Sequence, residues 1–94
     1  MLINTGFANA GTGAPGHDDA LACCAAVAKH MGCRPEEVLP FSTGVIGERF
    51  PVERILAGIP HCIGELSPMG WADAAHGIMT TDTAAKGGTR AVEA

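Results

Sequence analysis

A hydroxyl side chain and two glycines follow a short apolar segment in the middle of the chain. Residues 42–47 read Ser-Thr-Gly-Val-Ile-Gly and come directly after a Leu-Pro-Phe sequence. In such a turn the hydroxyl of Thr43 and the backbone N–H of Gly44 can point at one place, as in the oxyanion hole of acyl-transfer enzymes. The same residues also suit an ordinary turn at the end of a strand, in which Thr43 only caps the chain. Spacing alone favours the ordinary turn.

A second polar segment lies nearer the end of the chain. Residues 78–83 read Ile-Met-Thr-Thr-Asp-Thr, so Thr80 and its neighbours place three hydroxyls and a carboxylate where a predicted helix ends. These groups could bind a polar substrate, or they could simply form a polar helix terminus. Asp82 does not indicate a hydrolytic triad, because no feature of the sequence brings any of the histidines near it.

A glycine-rich segment near the start of the chain matches a nucleotide-binding pattern. Gly11, Gly13 and Gly16 have the spacing Gly-x-Gly-x-x-Gly and lead into a predicted helix, as in a dinucleotide-binding loop. In that loop, however, a strand runs directly into the first glycine, whereas several loop-like residues intervene here. Pro15 also removes a backbone donor where a phosphate needs one. A structural loop is therefore preferred, and a small dinucleotide-binding module is the alternative.

The cysteines do not form a recognisable metal or redox motif, since none is in a Cys-x-x-Cys arrangement. We expect buried free thiols at Cys23, Cys24, Cys33 and Cys62. The mixed pairs His30 with Cys33 and His61 with Cys62 match no standard spacing of metal ligands, so no metal site is predicted.

The elements that would position these residues alternate between strand and helix. A short strand at residues 2–4 runs into a loop rich in Gly and Ala. The first helix is predicted at residues 19–31, with Asp18 as its N-cap, Asp19 near the positive end of the helix dipole, and Gly32 as its end. The body of this helix is almost entirely apolar, which predicts packing on more than one side.

Further elements follow after a polar connection. A partly buried strand is predicted at residues 38–43, and a second helix should begin at Pro51 and be kinked or divided at Pro60. The apolar residues of the second helix recur on one face: Val52, Ile55, Leu56, Ile59, Ile63 and Leu66. A third helix should run from about Trp71 to Met79, and a last strand is predicted at residues 89–92. This order predicts an α/β fold, a fragment of a layered sheet-and-helix domain with about three helices and short strands.

Composition and charge narrow the possible functions. The 94 residues are 47% hydrophobic and 17% charged, which is typical of a globular interior rather than a disordered segment. The net charge is -4 and the Lys and Arg residues form no cluster, so nucleic acid is not an expected partner. The longest apolar run is too short to span a bilayer. We expect one incomplete domain over residues 1–94, with no second domain, in a soluble cytoplasmic protein.

Three segments together resemble one enzyme family. Residues 4–13 (Asn-Thr-Gly-Phe-Ala-Asn-Ala-Gly-Thr-Gly), residues 42–47 and residues 74–83 are similar, in this order and spacing, to the ornithine acetyltransferases. These are bifunctional glutamate N-acetyltransferases of arginine biosynthesis. The resemblance covers essentially the whole chain and places it within the first, alpha, chain of that family. Phe7, Gly11 and Ala85 depart from the usual family pattern, and the apolar side chain of Phe7 does not suit a polar role for its loop.

The resemblance implies a reaction in which this chain supplies only part of the site. Family members cut themselves at an Ala-Thr bond, and the freed threonine becomes the nucleophile of the second, beta, chain. Acetyl passes from N-acetylornithine to that threonine and then to glutamate, and some members also accept acetyl-CoA. No cofactor is implied. The expected partners are the remaining alpha-chain segments and the beta chain, in an oligomer.

The resemblance also implies residue roles. Thr43 and Gly44 would form the oxyanion hole, and Thr80 would contact the amino-acid substrate. No residue of this chain would be the nucleophile, so the chain alone should be inactive. A further possibility is an inert truncated product.

Overall fold

Short strands and helices alternate along the chain. The computed structural model describes residues 1–94. The elements are β1 (Leu2–Asn4), α1 (Gly13–Met31), β2 (Pro40–Ser42), α2 (Val52–Gly64) and α3 (Trp71–Gly77). A single 3-10 turn at Pro35–Glu37 lies between α1 and β2. The predicted α/β fold with about three helices and short strands is confirmed.

The two strands form a parallel pair. Leu2 lies opposite Pro40, Ile3 opposite Phe41 and Asn4 opposite Ser42. Parallel strands cannot be joined by a tight turn, and α1 provides the crossover between them. The carboxyl ends of both strands therefore lie at the same edge. An isolated parallel bridge between Phe7 and Val45 extends the pairing beyond that edge.

The start of α1 differs from the prediction, whereas its end agrees. The helix begins at Gly13, so Asp18 is not its N-cap and Asp19 lies beyond the first turn. Pro15 does not prevent this early start, because the first N–H groups of a helix have no partner within the helix. At the other end, Gly32 adopts the left-handed conformation (φ 69) and donates its N–H to the Ala28 carbonyl, as predicted for a C-terminal glycine.

The second helix packs its apolar face on α1. It starts at Val52, one residue after the predicted Pro51, and continues through Pro60 without being divided. Ile59 is only 2% exposed, because it lies in the centre of this contact face. Leu66 was predicted on the same face, but it lies beyond the end of the helix and is 67% exposed.

Three predictions for the rest of the chain are wrong in detail. The strand predicted at residues 38–43 is limited to Pro40–Ser42. The third helix ends at Gly77 instead of near Met79. Residues 89–92 form no strand, and Val92 is 82% exposed. A strand is stable only where its backbone groups pair with a neighbouring strand, and this segment has none within the chain.

The buried core is small. Cys24, Ala28 and Val38 form its centre, with Leu2 and Val27 partly buried against them. The expectation of buried thiols holds for Cys23 and Cys24 but is wrong for Cys33 and Cys62, which are exposed. Cys33 follows the end of α1, and Cys62 lies in the last turn of α2. Burial, with smaller contributions from Cys24 and Asp19, raises the pKa of the Cys23 thiol.

Apolar side chains remain exposed on both elements that flank the core. Leu21 on α1 is 54% exposed, and Ile3 and Phe41, which face each other across the strand pair, are 41% and 50% exposed. A parallel sheet is normally covered on both faces. The outer face of this strand pair has no covering within the chain. No helix is both long enough and apolar enough to cross a membrane.

The packing of Gly16 at the start of α1 gives a testable prediction. A Cβ at Gly16 would lie 1.7 Å from the Thr12 hydroxyl and 2.5 Å from Asn9 Oδ1, so Gly16→Ala should destabilise the chain by about 1–3 kcal/mol. Gly58→Ala is the matched control, because a Cβ there meets nothing within 4 Å and should stabilise α2 by about 0.5–1 kcal/mol. Urea unfolding followed by circular dichroism would measure both, and equal effects would contradict this packing.

Candidate active site

The candidate site lies where both strands end. Thr5 and Gly6 follow β1, and Thr43 and Gly44 follow β2. Because the strands are parallel and in register, these two pairs of residues are neighbours. The sequence-predicted oxyanion residues thus stand beside the segment that begins with the Asn-Thr-Gly motif.

Four hydrogen bonds attach residues 42–45 to residues 4–9. Three join backbone groups: Thr43 N–H to Asn4 O (3.1 Å), Val45 N–H to Gly6 O (3.1 Å) and Ala8 N–H to Val45 O (2.9 Å). In the fourth, the Asn9 N–H donates to the Ser42 Oγ at 2.8 Å. The short turn after β2 is therefore fixed on both sides of Gly44.

Gly44 lies where its backbone touches the neighbouring segment. Its φ is +131, a conformation that side-chain-bearing residues rarely adopt. A Cβ at this position would lie 2.4 Å from the Gly6 carbonyl carbon and 2.8 Å from the Phe7 nitrogen. Only glycine fits without moving the backbone of residues 6–7. This close contact explains why the Ser-Thr-Gly motif has a glycine at position 44.

The two predicted oxyanion donors are not used by the fold. Neither the Thr43 hydroxyl nor the Gly44 N–H makes a hydrogen bond within the chain, and both residues are half-buried. The amides on either side, of Thr43 and Val45, donate to the β1 segment. Two adjacent donors are thus free to bind a ligand.

Thr80 lies beyond α3 and is exposed. The end of α3 is close to the candidate site, because the Thr5 hydroxyl donates to the Gly77 carbonyl at 3.1 Å. The Thr80 N–H donates to Asp82 Oδ2 at 3.3 Å, and Lys86 Nζ lies 3.0 Å from Asp82 Oδ1. Asp82 therefore stabilises the turn that carries Thr80 and is paired with a lysine rather than with a histidine.

In the glycine-rich loop, side chains pack closely on Gly16, and no open phosphate site is formed there. Asn9 Nδ2 donates to the Gly16 carbonyl at 2.7 Å, and the Thr12 hydroxyl donates to Asn9 Oδ1. Gly16 is buried against these two side chains. A groove of about 310 Å³ passes beside the loop, lined by Asn9, Thr12, His17 and the glycines. This geometry adds no support for the dinucleotide alternative, since the preceding strand ends at Asn4.

Sequence reasoning missed one ion pair that anchors the turn after β2. Arg49 Nη2 lies 3.1 Å from Asp19 Oδ1, in hydrogen-bond geometry, and 3.0 Å from Oδ2, where the contact is only ionic. The Asp19 side chain is 9% exposed, so it lies in the interior of the fold rather than at the start of the helix. A carboxylate in an otherwise apolar helix must have a partner, which is a signal the sequence contained. The partner, Arg49, lies 30 positions further along the chain, so the sequence pattern did not identify it.

The His and Cys residues do not converge. No group of three or more His, Cys, Asp or Glu side chains is arranged so that it could hold a metal ion. His30 Nδ1 lies 2.9 Å from the Ala26 carbonyl of its own helix. Its pairing with Cys33 is therefore not needed to explain its position.

Comparison with known proteins matches the whole chain to one family. The ArgJ family model matches residues 1–94. The chain is 54% identical over 90 residues to the arginine biosynthesis bifunctional protein ArgJ of Neisseria meningitidis, and 52% identical over 93 residues to that of Methylococcus capsulatus. These matches cover 96% and 99% of this chain but only 21% and 23% of the two relatives.

Solved structures share the fold as well as the sequence pattern. ArgJ from Bacillus halodurans superposes with a TM-score of 0.76 at 38% identity. The ornithine acetyltransferase from Mycobacterium tuberculosis, determined in complex with ornithine, superposes with a TM-score of 0.82 at 40% identity. Each match covers 87% of this chain and 43% or 46% of the solved chain. The chain therefore spans less than half of these structures.

The close contact at Gly44 generates a prediction with an internal control. Gly44→Ala introduces both an unfavourable φ and an overlap with residues 6–7, so it should cost about 2–4 kcal/mol of unfolding free energy. Gly47→Ala introduces the unfavourable φ (+92) but meets nothing within 4 Å, so it should cost only about 1 kcal/mol. Thermal and urea unfolding would compare the two, and equal losses would exclude the backbone overlap.

The Asp82 turn gives a prediction about pH. The hydrogen bond from Lys86, followed by that from the Thr80 N–H, lowers the pKa of Asp82 from its ordinary value of 3.8. Any stabilisation from this exposed pair is therefore present above pH 3.8 and is lost as the pH falls through the lowered pKa of Asp82. Lys86→Gln should raise the pKa of Asp82 towards 3.8, whereas Arg90→Gln should not. An NMR titration of the side-chain carboxyl would show this, and an unshifted Asp82 in the Lys86 variant would refute the pairing.

Proposed function

Because the chain belongs to the ArgJ family of arginine biosynthesis, we propose that it forms part of an enzyme that transfers acetyl from N-acetylornithine to glutamate. The observation that carries this proposal is the pair of unused donors at Thr43 and Gly44, held rigidly at the end of a strand. Fixed donors of this kind stabilise a tetrahedral oxygen because they need no reorganisation during the reaction. We propose that these two groups form the oxyanion hole.

The proposed reaction proceeds through an acetyl-threonine intermediate. The threonine hydroxyl at the start of a second chain attacks the acetyl carbonyl of N-acetylornithine, and the terminal amine of that chain takes the proton. The carbonyl oxygen becomes negative and accepts hydrogen bonds from the Thr43 hydroxyl and the Gly44 N–H. The C–N bond then breaks, and the departing ornithine amine takes up the proton held by the terminal amine. The glutamate amine next attacks the carbonyl carbon of the acetyl ester and gives a proton to the terminal amine. The ester C–O bond breaks, the threonine oxygen takes that proton to restore the hydroxyl, and N-acetylglutamate leaves.

Thr80 is proposed to contact the amino-acid part of the substrate. Its support is the contact between Thr5 and Gly77, which keeps the end of α3 beside the candidate site, and the Asp82 turn, which orders the exposed threonine. The Mycobacterium tuberculosis relative was determined in complex with ornithine, which supports an amino acid of this kind as the ligand. We also propose acetyl-CoA as an additional acetyl donor, and we propose no cofactor.

The remainder of the site is proposed to come from outside these residues. The proposed nucleophile is a threonine that lies outside these residues. It begins a separate beta chain, which self-cleavage produces. The other alpha-chain segments and that beta chain would be its partners, in an oligomer. The exposed faces of α1 and of the strand pair are consistent with such partners. We also propose a cytoplasmic location, which the free cysteines support, since exposed thiols persist in reducing compartments.

The proposal is tested in a full-length protein in which these 94 residues replace the matching segment of the Neisseria meningitidis relative, to which they are 54% identical. Acetyl transfer from N-acetylornithine to glutamate is expected in this chimera but not in the 94-residue chain alone. Loss of an oxyanion donor typically costs about 100-fold or more in kcat, so Thr43→Ala should reduce kcat by that amount. Thr43→Ser keeps the hydroxyl and should retain most activity.

Thr89→Ala is the control for these variants, because Thr89 is exposed and lies in the segment without regular structure. It should leave kcat unchanged. Normal transfer by the Thr43→Ala chimera would contradict the oxyanion assignment. A folded but inactive parent chimera would favour an inert product, and transfer by the isolated chain would mean that it contains its own nucleophile.

A further inference from the structure

We infer that Ser42 is a positioning residue for the two proposed oxyanion donors, acting through its hydrogen bond with Asn9. This inference rests on the proposed function of Thr43 and Gly44. Ser42 itself does not contact the reacting atoms in this view. Its hydroxyl keeps the turn that follows it at a fixed distance from residues 4–9.

The bond between Asn9 and Ser42 is unusual among the four that hold the turn. The other three join backbone groups, whereas here the Asn9 N–H donates to a side-chain oxygen at 2.8 Å. Ser42 directly precedes Thr43, so this bond acts next to the proposed donors. It is also the one bond of the four that a side-chain substitution can remove while leaving the backbone unchanged.

Asn9 is itself held firmly, which makes it an effective anchor. Its side-chain amide donates to the Gly16 carbonyl at 2.7 Å, and its amide oxygen accepts from the Thr12 hydroxyl. Both partners belong to the start of α1 or directly precede it. The Ser42 hydroxyl is thereby connected through Asn9 to the longest helix of the chain. Helix α1 thereby supports the turn that carries Thr43 and Gly44.

The surroundings of Ser42 allow a conservative substitution. Ser42 lines a cavity of about 150 Å³ between the strand pair and α1, together with Leu2, Ala20, Cys23 and Phe50. The extra methyl group of a threonine can enter this space, and a β-branched residue is favourable in a strand. Ser42→Thr therefore keeps the acceptor oxygen, whereas Ser42→Ala removes it and leaves the Asn9 N–H without a partner.

The test measures kcat and KM separately in the full-length chimera. A displacement of about 1 Å in a catalytic group can cost about 100-fold, so Ser42→Ala should lower kcat by about tenfold to 100-fold with KM changed less than about twofold. Ser42→Thr should restore most of the lost kcat. A residue needed only for stability would lower the melting temperature without this separation of kcat from KM.

Ser67→Ala is the matched control, because the exposed Ser67 Oγ also accepts a backbone N–H, that of Met69 at 3.1 Å, and no hydrogen bond joins Ser67 to residues 42–45. It should leave kcat unchanged. Asn9→Asp tests the same junction, which is the set of hydrogen bonds that joins Ser42 through Asn9 to α1. It replaces the amide donor to Gly16 with an oxygen that cannot donate. The double variant with Ser42→Ala should be no slower than the slower single variant, because both disturb one junction.

The outcomes separate this inference from the proposed function. If Ser42→Ala retains kcat, or if Ser42→Thr is as slow as Ser42→Ala, the positioning role is wrong even when Thr43→Ala is impaired. If Thr43→Ala is itself fully active, the oxyanion assignment is wrong first. Should Ser42→Ala not fold, an unimpaired Asn9→Asp chimera would overturn the inference by itself.

Discussion

The contact between the backbones of residues 4–9 and 42–45 is the constraint on which the rest of the structure depends. No side chain separates the two segments at Gly44, where even one carbon atom would overlap the Gly6 carbonyl. This approach is possible because β1 and β2 are parallel and in register, and α1 returns the chain to make them so. The hydrogen bonds on either side of Gly44 leave its own N–H without a partner in the chain. The pairing of these two segments therefore holds the backbone around Gly44 in place and also leaves the donors of Thr43 and Gly44 unpaired.

Helix α1 supports this arrangement at two separate places. At its start, Gly16 packs against Thr12 and Asn9, and Asn9 in turn reaches Ser42. One turn further on, the buried Asp19 pairs with Arg49 and fixes the far end of the loop that begins at Thr43. An ion pair with one exposed partner contributes little to stability by itself, but it limits the positions that the loop can adopt. The helix therefore acts on both ends of the loop, while Leu21 on its other side remains exposed.

Predictions from sequence succeeded where one local requirement decided the structure, and failed where the first turn of a helix tolerates unfavourable residues or where a distant partner is needed. Gly32 ends α1 as predicted, because a left-handed residue after an apolar helix is a local requirement. The start of α1 was misplaced because Gly13 and Pro15 oppose helix in the middle of a segment but are tolerated in its first turn. Residues 89–92 have a sequence that suits a strand, yet no strand is available to pair with them. The Thr43–Gly44 motif could be located from sequence, whereas its support by Asn9 and by the Asp19–Arg49 pair required coordinates.

The order of events during folding follows from the separation of the paired segments. Asn9 and Ser42 lie 33 positions apart along the chain, and bringing two such segments together costs about 3 kcal/mol of loop-closure entropy before any contact compensates for it. Helix α1, by contrast, depends on contacts within a few residues and can form early. The candidate site should therefore be absent from a newly made or partly folded chain and appear only when the strand pair closes over the finished helix. Its two donors are a late product of folding and cannot exist as a local motif in isolation.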